Sequence, residues 1–217
     1  KVGYPPCPGR VMVDNPHWRM RGGEWRERID QWRQVHGGQG ALDLSITLDA
    51  RPIAGNAALF APVKDALMAL GDDEILLHHL AGATLEFDTP LTFFGRVRSG
   101  SAGTDIKKGG IFPVVHGLRC LALRHGITAT GSRERCAALV ECGELSPGLG
   151  RDLPQALNVF QHMRLDAQFA ALAEGRAPDN HIDPARLRRL DRELMRDALH
   201  VVKDFRAHVR SSFHLRD

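Results

Sequence analysis

The chain has 217 residues, 43% hydrophobic and 25% charged, which is ordinary composition for one large or two small globular domains. A formal net charge of +3 is too small to indicate a nucleic-acid partner, and no apolar run reaches the ~18 residues of a membrane-crossing helix, so we expect neither. The four cysteines have the spacing of neither a disulfide framework nor a zinc site, which indicates buried free thiols in a reducing cytoplasm.

The first predicted helix follows an irregular segment, residues 1 to 22, that is rich in Pro, Gly and Arg. Trp25, Ile29 and Trp32 recur at spacings of four and three, which places them on one face of that helix. The glycine-rich run from Gly37 to Gly40 predicts its end. Because the chain starts without Met and without a signal-peptide core, we interpret it as a piece of a longer polypeptide.

A β-strand is predicted over residues 42 to 49, where apolar and polar side chains alternate. The apolar positions are Leu42, Leu44, Ile46 and Leu48, and the polar positions are Asp43, Ser45, Thr47 and Asp49. A single strand is not stable alone, so this one must pair with another segment.

From Asn56 onward the pattern is helical. Helix starts are predicted from capping residues and prolines at Asn56, Asp72 or Asp73, Pro113, Ser132, Asp152 and Asp183-Pro184. The last helix, of about 28 residues, carries an apolar seam at alternating spacings of three and four: Leu187, Leu190, Leu194, Ala198, Val201 and Phe205. These features predict a mainly α fold, an up-and-down helical bundle with a small β element.

A long basic loop, residues 86 to 110, interrupts the helices and ends in the most informative motif of the chain. The motif places an acid, a lysine and two glycines ahead of a helix that carries Arg119, where free N–H groups and the helix dipole favour an anion. It consists of Asp105, Lys107, Gly109 and Gly110, with Lys108 between them. It lacks the spacing of a P-loop.

Two interpretations of this motif remain open. In the first, the four residues contact a nucleotide phosphate or an acidic patch on a protein substrate, because glycine permits close backbone approach and lysine supplies a point charge. In the second, the motif is a turn in which Asp105 pairs with Lys107 or Lys108.

Arg164 and Gln168 lie four residues apart and therefore point the same way from one helix. A half-buried arginine needs an anionic partner, which is either a ligand or an acid of the last helix, Asp191 or Glu193. The eleven histidines show no metal-ligand spacing, so we assign them no metal.

Several segments, in this order, resemble a bacterial family of nucleotidyltransferases called DUF294. They are Gly3 to Gly9 with Val11-Met12, Trp25 with Trp32, Leu48 to Gly55, Asp105 to Gly110, Arg164-Leu165 with Gln168, and Pro178 to Asn180. Longer members carry cyclic-nucleotide-binding and CBS regulatory domains ahead of a transferase domain, and the C-terminal part is called the substrate-binding domain. The family is similar to protein-PII uridylyltransferases and glutamine-synthetase adenylyltransferases, which share a Lys-x-Gly-Gly run.

The resemblance implies a domain organisation and an activity. Residues 1–35 would be the C-terminal tail of the nucleotidyltransferase domain, which would also contribute the β element, and residues 36–217 the helical substrate-binding domain. The full protein would use Mg²⁺ to transfer a nucleotide monophosphate from a nucleoside triphosphate to a protein or small acceptor in signal transduction. The family's Gly-Ser turn and first two metal-binding carboxylates would precede Lys1, so this fragment alone should be inactive.

The resemblance also implies roles for single residues. Asp49, in an Asp-x-Arg sequence, is the candidate third catalytic carboxylate and magnesium ligand; the alternatives are a salt bridge to Arg51 or a solvent-facing position. The candidate contacts to substrate or nucleotide are Arg51, Asp105, Lys107, Gly109, Gly110, Arg135, Arg164 and Gln168.

A non-catalytic alternative stays open. The chain could be a helical signalling or dimerisation module that reads the state of upstream CBS or cyclic-nucleotide-binding domains. Its C-terminal seam would then pair with a second copy in a homodimer.

Overall fold

The computed structural model describes residues 7, 9–34, 38–98, 100 and 103–216. Most of the predicted N-terminal loop up to Pro8, and Gly37 of the predicted helix stop, lie outside these residues. Within them, we find no helix with both the length and the apolar character needed to cross a membrane.

The described residues form eight α-helices and one two-stranded sheet, which confirms the mainly α fold with a small β element. The helices are α1 (Gly22–Trp32), α2 (Gly38–Thr47), α3 (Ala61–Met68), α4 (Glu74–Gly82), α5 (Phe112–Arg124), α6 (Ser132–Glu141), α7 (Pro147–Ala173) and α8 (Arg189–Ser212). Strands β1 (Thr104–Asp105) and β2 (His181–Ile182) pair antiparallel. Short 3-10 turns span Pro16–Trp18, Ala57–Leu59, Ala69–Asp72 and Ala83–Leu85, and a π turn spans Lys107–Ile111.

The last four helices form a closed bundle. Helix α5 packs against α6 and α8, and α7 packs against the same two helices. The shorter N-terminal helices lie against this bundle, with α1 on α3 and α4 on α5. One hydrophobic core joins the two groups, since Trp32 of α1, Leu67 of α3 and Phe205 of α8 belong to the same buried cluster.

Several predicted helices are confirmed. Ile29 and Trp32 are buried along the α1 stripe. The Asp73 carboxylate accepts a hydrogen bond of 3.0 Å from the Leu76 N–H and caps α4. Pro113 lies in the first turn of α5, which ends just before Gly126.

The predicted strand over residues 42 to 49 is wrong, because this segment is helix α2 followed by a turn. Its polar positions do not form a solvent face: Asp43 and Thr47 are 3% and 5% exposed. Asp43 accepts hydrogen bonds from Gln39 at 2.6 Å and pairs with the His17 ring at 2.7 Å, and the Thr47 hydroxyl donates to the Asp43 carbonyl at 2.7 Å. Polar side chains that are hydrogen-bonded inside the fold can alternate with apolar ones in a helix as well as in a strand. The β element of the described chain is formed by β1 and β2 instead.

Two further predicted helix starts, those of α7 and α8, are also wrong. Helix α7 begins at Pro147 and is capped by the Ser146 hydroxyl, which accepts from the Leu149 N–H at 3.2 Å, so Asp152 lies inside the helix. Helix α6 begins at Ser132, as predicted, but Gly131 rather than Ser132 occupies its cap position. The Asp183 carboxylate accepts from the Ala185 N–H at 2.9 Å in a turn, and α8 begins only at Arg189.

The buried seam of α8 differs from the predicted one. Helix α8 has 24 residues, and its buried side chains are Met195, Ala198, Leu199, Val202, Phe205 and Val209. Leu190 and Leu194 are 67% and 52% exposed. Since the apolar residues of this helix offer two overlapping stripes, only packing against α5 and α7 decides which one is buried.

The cysteines are all free in the described part of the chain. Cys120 and Cys136 are buried, as predicted, whereas Cys7 and Cys142 are exposed.

Candidate functional site

Four charged side chains from four separate segments meet beside helix α5, and we call them the arginine cluster: Asp49, Lys64, Arg119 and Arg135. Arg135 Nη2 donates to Asp49 Oδ1 at 2.6 Å, and Arg119 Nη2 donates to Asp49 Oδ2. Lys64 Nζ donates to the Leu48 carbonyl at 3.1 Å, one residue before Asp49. The turn after α2 is thereby fixed to α3, α5 and α6.

The cluster is largely withdrawn from solvent. The side chains of Arg135 and Arg119 are 3% and 13% exposed, while Asp49 keeps 31% of its side chain in contact with water. Burial raises the pKa of the Asp49 carboxyl, but the hydrogen bond and charge of Arg119 and those of Arg135 together outweigh it. The pKa therefore lies below its ordinary value of 3.8, and Asp49 is a carboxylate at neutral pH.

The charges of the cluster do not balance, because three cations share one carboxylate. The pKa of Lys64 is lowered, first by burial and then by the charge of Arg135, and the charge of Asp49 only partly offsets this. Moreover, Nε of Arg119 and Nε of Arg135 are buried and have no hydrogen-bond partner in the described part of the chain. Buried charges are stable when they are paired, so this arrangement favours a further anion.

The space for such an anion is at the surface. The cavity enclosed by Leu48, Lys64, Arg119 and Arg135 measures about 10 Å³, which is the volume of at most one water molecule. This cavity is too small for a phosphate group, and the cluster reaches solvent at the edge formed by Asp49 and Lys64.

Asp49 does not fit a magnesium site in this structure. Both of its oxygens accept hydrogen bonds from guanidinium groups, and three cations surround it, whereas Mg²⁺ requires free, negatively charged oxygen ligands. Within the described ranges, no group of three or more His, Cys, Asp or Glu side chains is arranged to hold a metal ion. Asp49 thus orients Arg119 and Arg135.

Lys107, Gly109 and Gly110 of the predicted motif lie in the π turn before α5, and Asp105 lies just before this turn in β1. The Asp105 carboxylate accepts the backbone hydrogen bonds that a bound anion would otherwise accept. Asp105 Oδ1 accepts from the N–H groups of Lys107 and Lys108, both at 3.0 Å. A Cβ on Gly109 would lie 2.6 Å from Pro90, and a Cβ on Gly110 would lie 3.0 Å from Phe160. The glycines are therefore required for internal packing rather than for approach of a ligand.

Arg164 and Gln168 face the same turn from α7. Phe160, one turn before Arg164, touches Gly110, and Gln168 donates to the Asp179 carbonyl at 3.0 Å next to strand β2. Arg164 is half-buried and makes no hydrogen bond or ion pair with a described residue. The two acids considered as its partners are engaged elsewhere: Asp191 with Arg188 at 3.7 Å and Glu193 with Arg189 at 3.9 Å.

The structure therefore divides the predicted site residues into two groups. Asp105, Lys107, Gly109, Gly110, Arg164 and Gln168 gather at the start of α5, and we call this group the lysine turn. Asp49 and Arg135 belong to the arginine cluster, whose Arg119 follows Lys107 by twelve residues, roughly 18 Å along the helix axis. Arg51 is exposed, and Asp49 pairs with Arg119 and Arg135 instead.

Comparison with protein families decides the identity of the chain. The family model described as putative nucleotidyltransferase substrate binding domain matches residues 74–213, which is more than half of the chain. The chain belongs to this family. A second model, described as putative nucleotidyltransferase DUF294, matches residues 1–39. Searches of curated proteins and of solved structures gave no significant match.

For two members of the arginine cluster, Arg119 and Lys64, the sequence of this substrate-binding domain predicts no role in a site. The sequence places Arg119 on the helix after the motif without predicting a role for it, and it predicts no role for Lys64. Their partner Asp49 lies 70 residues from Arg119 and 86 residues from Arg135, a separation at which spacing carries no information. The only available signal was the Asp-x-Arg resemblance that pointed to Asp49 itself.

Proposed function

We propose that this domain binds the phosphate groups of a nucleoside triphosphate for a magnesium-dependent nucleotidyltransferase that resembles protein-PII uridylyltransferases and acts in signal transduction. One observation supports this site above the others: in the arginine cluster, two positive charges have no counterion in the described part of the chain.

The bound phosphate would complete the charge balance of the cluster. It would lie at the exposed edge beside Asp49, where Lys64 supplies a point charge and the guanidinium groups of Arg119 and Arg135 provide fixed positive potential. Asp49 would hold the two guanidinium groups in place before the ligand arrives, which lowers the cost of ordering them on binding. Such a site is surface-exposed, so its affinity should fall with ionic strength.

Magnesium would be bound by other residues of the full-length protein. The clustered carboxylates of a nucleotidyl transfer hold metal ions that neutralise charge on the transferred phosphate. Among the described residues no group of three or more His, Cys, Asp or Glu side chains is arranged in this way. We propose that this chain binds and orients a substrate.

The lysine turn is the second cationic surface, and we propose it for the acidic groups of a protein or small acceptor. Lys107 is exposed and Arg164 lacks a partner in the described ranges, so both can pair with carboxylates or phosphates that approach from solvent. Lys108 is less available, since its Nζ stacks 5.3 Å from the centre of the Phe87 ring.

Calorimetric titration with UTP and ATP, with and without Mg²⁺, tests the phosphate site. We expect Lys64→Ala to weaken nucleotide binding by about tenfold, because one close charge on a partly desolvated site is worth ~1.4 kcal/mol. Lys107→Ala is the matched control and should change the affinity by less than about twofold. Equal effects of the two substitutions, or stronger loss with Lys107→Ala, would assign the nucleotide to the lysine turn.

A non-catalytic signalling module remains the second candidate, because large apolar side chains such as Phe93 and Phe94 are exposed. The seam predicted for its dimerisation is only partly available: Ala198 and Phe205 are buried in the chain's own core, whereas Leu190 and Leu194 are exposed. Absence of any nucleotide binding, together with tight association with CBS or cyclic-nucleotide-binding domains, would favour this module.

A further inference from the structure

Two phenylalanines stand in solvent at the tip of an ordered hairpin, which we call the phenylalanine tip (residues 92–96). Phe93 is 98% and Phe94 86% exposed, and their rings contact each other edge to face at 5.5 Å. The hairpin is held by hydrogen bonds between the Thr92 N–H and the Arg96 carbonyl at 2.7 Å and between the Gly95 N–H and the Thr92 carbonyl at 2.9 Å. Exposure of two large rings on a fixed turn is typical of an interaction surface.

The phenylalanine tip is also cationic. Arg96 and Arg98 are exposed on the same hairpin, and neither forms an ion pair with a described residue. A binding partner for this tip should therefore offer an apolar recess with acidic groups around it.

A recess with apolar and acidic side chains lies between α7 and the start of α8, and we call it the α7–α8 cavity. Its volume is about 770 Å³, within the range of about 300–1,000 Å³ typical of ligand sites. Its apolar lining residues include Val159, Met163, Ala167, Ala170, Ile182, Leu187 and Leu194.

Acids and arginines both line the α7–α8 cavity: Asp166, Asp179, Asp183 and Asp191, with Arg176, Arg186 and Arg188. The arginines are engaged by acids, since Arg188 lies 3.7 Å from Asp191 and Arg186 lies 4.0 Å from Glu174. Arg176 is directed to Glu174, with Nε and Nη2 at 2.8 and 2.6 Å from one carboxylate oxygen.

Asp166 makes no hydrogen bond or ion pair with a described residue, and the Asp183 carboxylate accepts only from the Ala185 N–H. Asp179 bonds to the backbone N–H and the ring of His181, at 2.9 and 3.3 Å. The apolar lining and the carboxylates of Asp166 and Asp183, which have no cationic partner among the described residues, thus match a guest that carries aromatic rings and a positive charge.

We propose that the phenylalanine tip of one copy of this chain inserts into the α7–α8 cavity of a second copy. A tip cannot reach the cavity of its own chain, because it lies beside Arg196, His200 and Lys203 of α8, whereas the cavity lies beside Asp191 and Leu194. At 100° per residue these two sets of positions are on opposite faces of the helix. Buried phenylalanines each remove about 150–250 Å² from water, which makes the pair the anchor of the contact.

This inference is independent of the proposed nucleotide site, and cysteine cross-linking between copies of the full-length protein tests it. In a background with Cys7→Ser and Cys142→Ser, protein carrying Phe94→Cys is mixed with protein carrying Ala167→Cys under mild oxidation. We expect a disulfide between the two copies. The matched control replaces Ala167→Cys with Glu27→Cys on the exposed face of α1 and should give at least tenfold less product. Equal cross-linking in both mixtures overturns the proposal.

Sedimentation equilibrium provides the second measurement. Phe93→Ser with Phe94→Ser, and separately Ala167→Arg in the cavity wall, should each raise the dissociation constant between copies at least tenfold. In a mixture of the two variants, the intact tip of the Ala167→Arg protein can enter the intact cavity of the Phe93→Ser, Phe94→Ser protein. Association should therefore return in the mixture. No recovery in the mixture, or binding of the tip to anionic lipid vesicles with no effect on self-association, contradicts the proposal.

Discussion

The Asp49 side chain joins the turn after α2 to helices α5 and α6 through two arginines. The family resemblance makes Asp49 a candidate catalytic carboxylate, but in the structure both of its oxygens are bound by Arg119 of α5 and Arg135 of α6. Those contacts convert a candidate metal ligand into the counterion of two guanidinium groups. Sequence spacing could not reveal this, because the pairing depends on how three distant segments pack.

We expect Asp49→Asn to lower the free energy of unfolding by about 2 kcal/mol, because it leaves two buried guanidinium groups without a counterion. Urea unfolding measures this loss. Asp30→Asn is the control: Asp30 is 73% exposed and 3.9 Å from Arg33, so its loss should stay within about 0.5 kcal/mol. Similar losses for the two variants would show that Asp49 is an ordinary surface carboxylate.

His116 makes the stability of the protein depend on pH. Its Nε2 lies 2.8 Å from the Leu80 carbonyl, to which it donates in the neutral form, while burial lowers its pKa from 6.5 to about 4. Between these values the unfolded chain binds more protons than the folded chain, so stability falls as the pH drops below about 6.5. At pH 5 the loss attributable to His116 should be about 2 kcal/mol.

Urea unfolding of the wild type and of His116→Gln at pH 7 and pH 5 checks this. The glutamine can still donate a hydrogen bond but does not titrate, so its stability should change less over this interval. Asp49 and Glu144, whose pKa values are also lowered by their partners, titrate below this window and affect both proteins alike. An identical change in the two proteins would mean that His116 titrates normally.

The helices show where local patterns succeed and where they fail. Helices α1, α4 and α5 follow from apolar spacing, a capping carboxylate and an early proline, because these signals act within one turn. The alternating residues of α2 predict a strand, but the polar side chain of Asp43 is satisfied by Gln39 within the helix and by His17 from outside it. The start of α7 was misplaced because Ser146, rather than Asp152, lies where the chain turns into the helix.

The corrected seam of α8 can be tested by two neighbouring substitutions. Met195 is fully buried, so Met195→Ala should lower the free energy of unfolding by 2–5 kcal/mol, the range typical for large-to-small changes in a core. Leu194 is 52% exposed, so Leu194→Ala should cost less than about 1 kcal/mol. Thermal or urea unfolding gives both values. The reverse order would restore the seam predicted from the sequence.

The chain behaves as one folded unit in which the N-terminal helices and the C-terminal bundle share a core. The fold class and the family could be predicted from the sequence, because helix periodicity and ordered motifs are local signals. The grouping of the candidate site residues could not, since Asp105 to Gly110 meet Arg164 and Gln168 only through the packing of α7 on the π turn. The two cationic surfaces and the α7–α8 cavity are products of this packing.

The most direct test of phosphate binding by the arginine cluster is NMR of the arginine Nε–H groups in ¹⁵N-arginine-labelled protein. Nε of Arg119, Arg135 and Arg206 is buried without a hydrogen-bond partner among the described residues, so all three protons should exchange slowly enough to be observed. Arg206 is the internal control, because it binds Thr89 and the Leu85 carbonyl away from the cluster. Addition of UTP should shift the Arg119 and Arg135 signals and leave Arg206 unchanged. A shift confined to Arg164, or no shift at all, would contradict nucleotide binding at the arginine cluster.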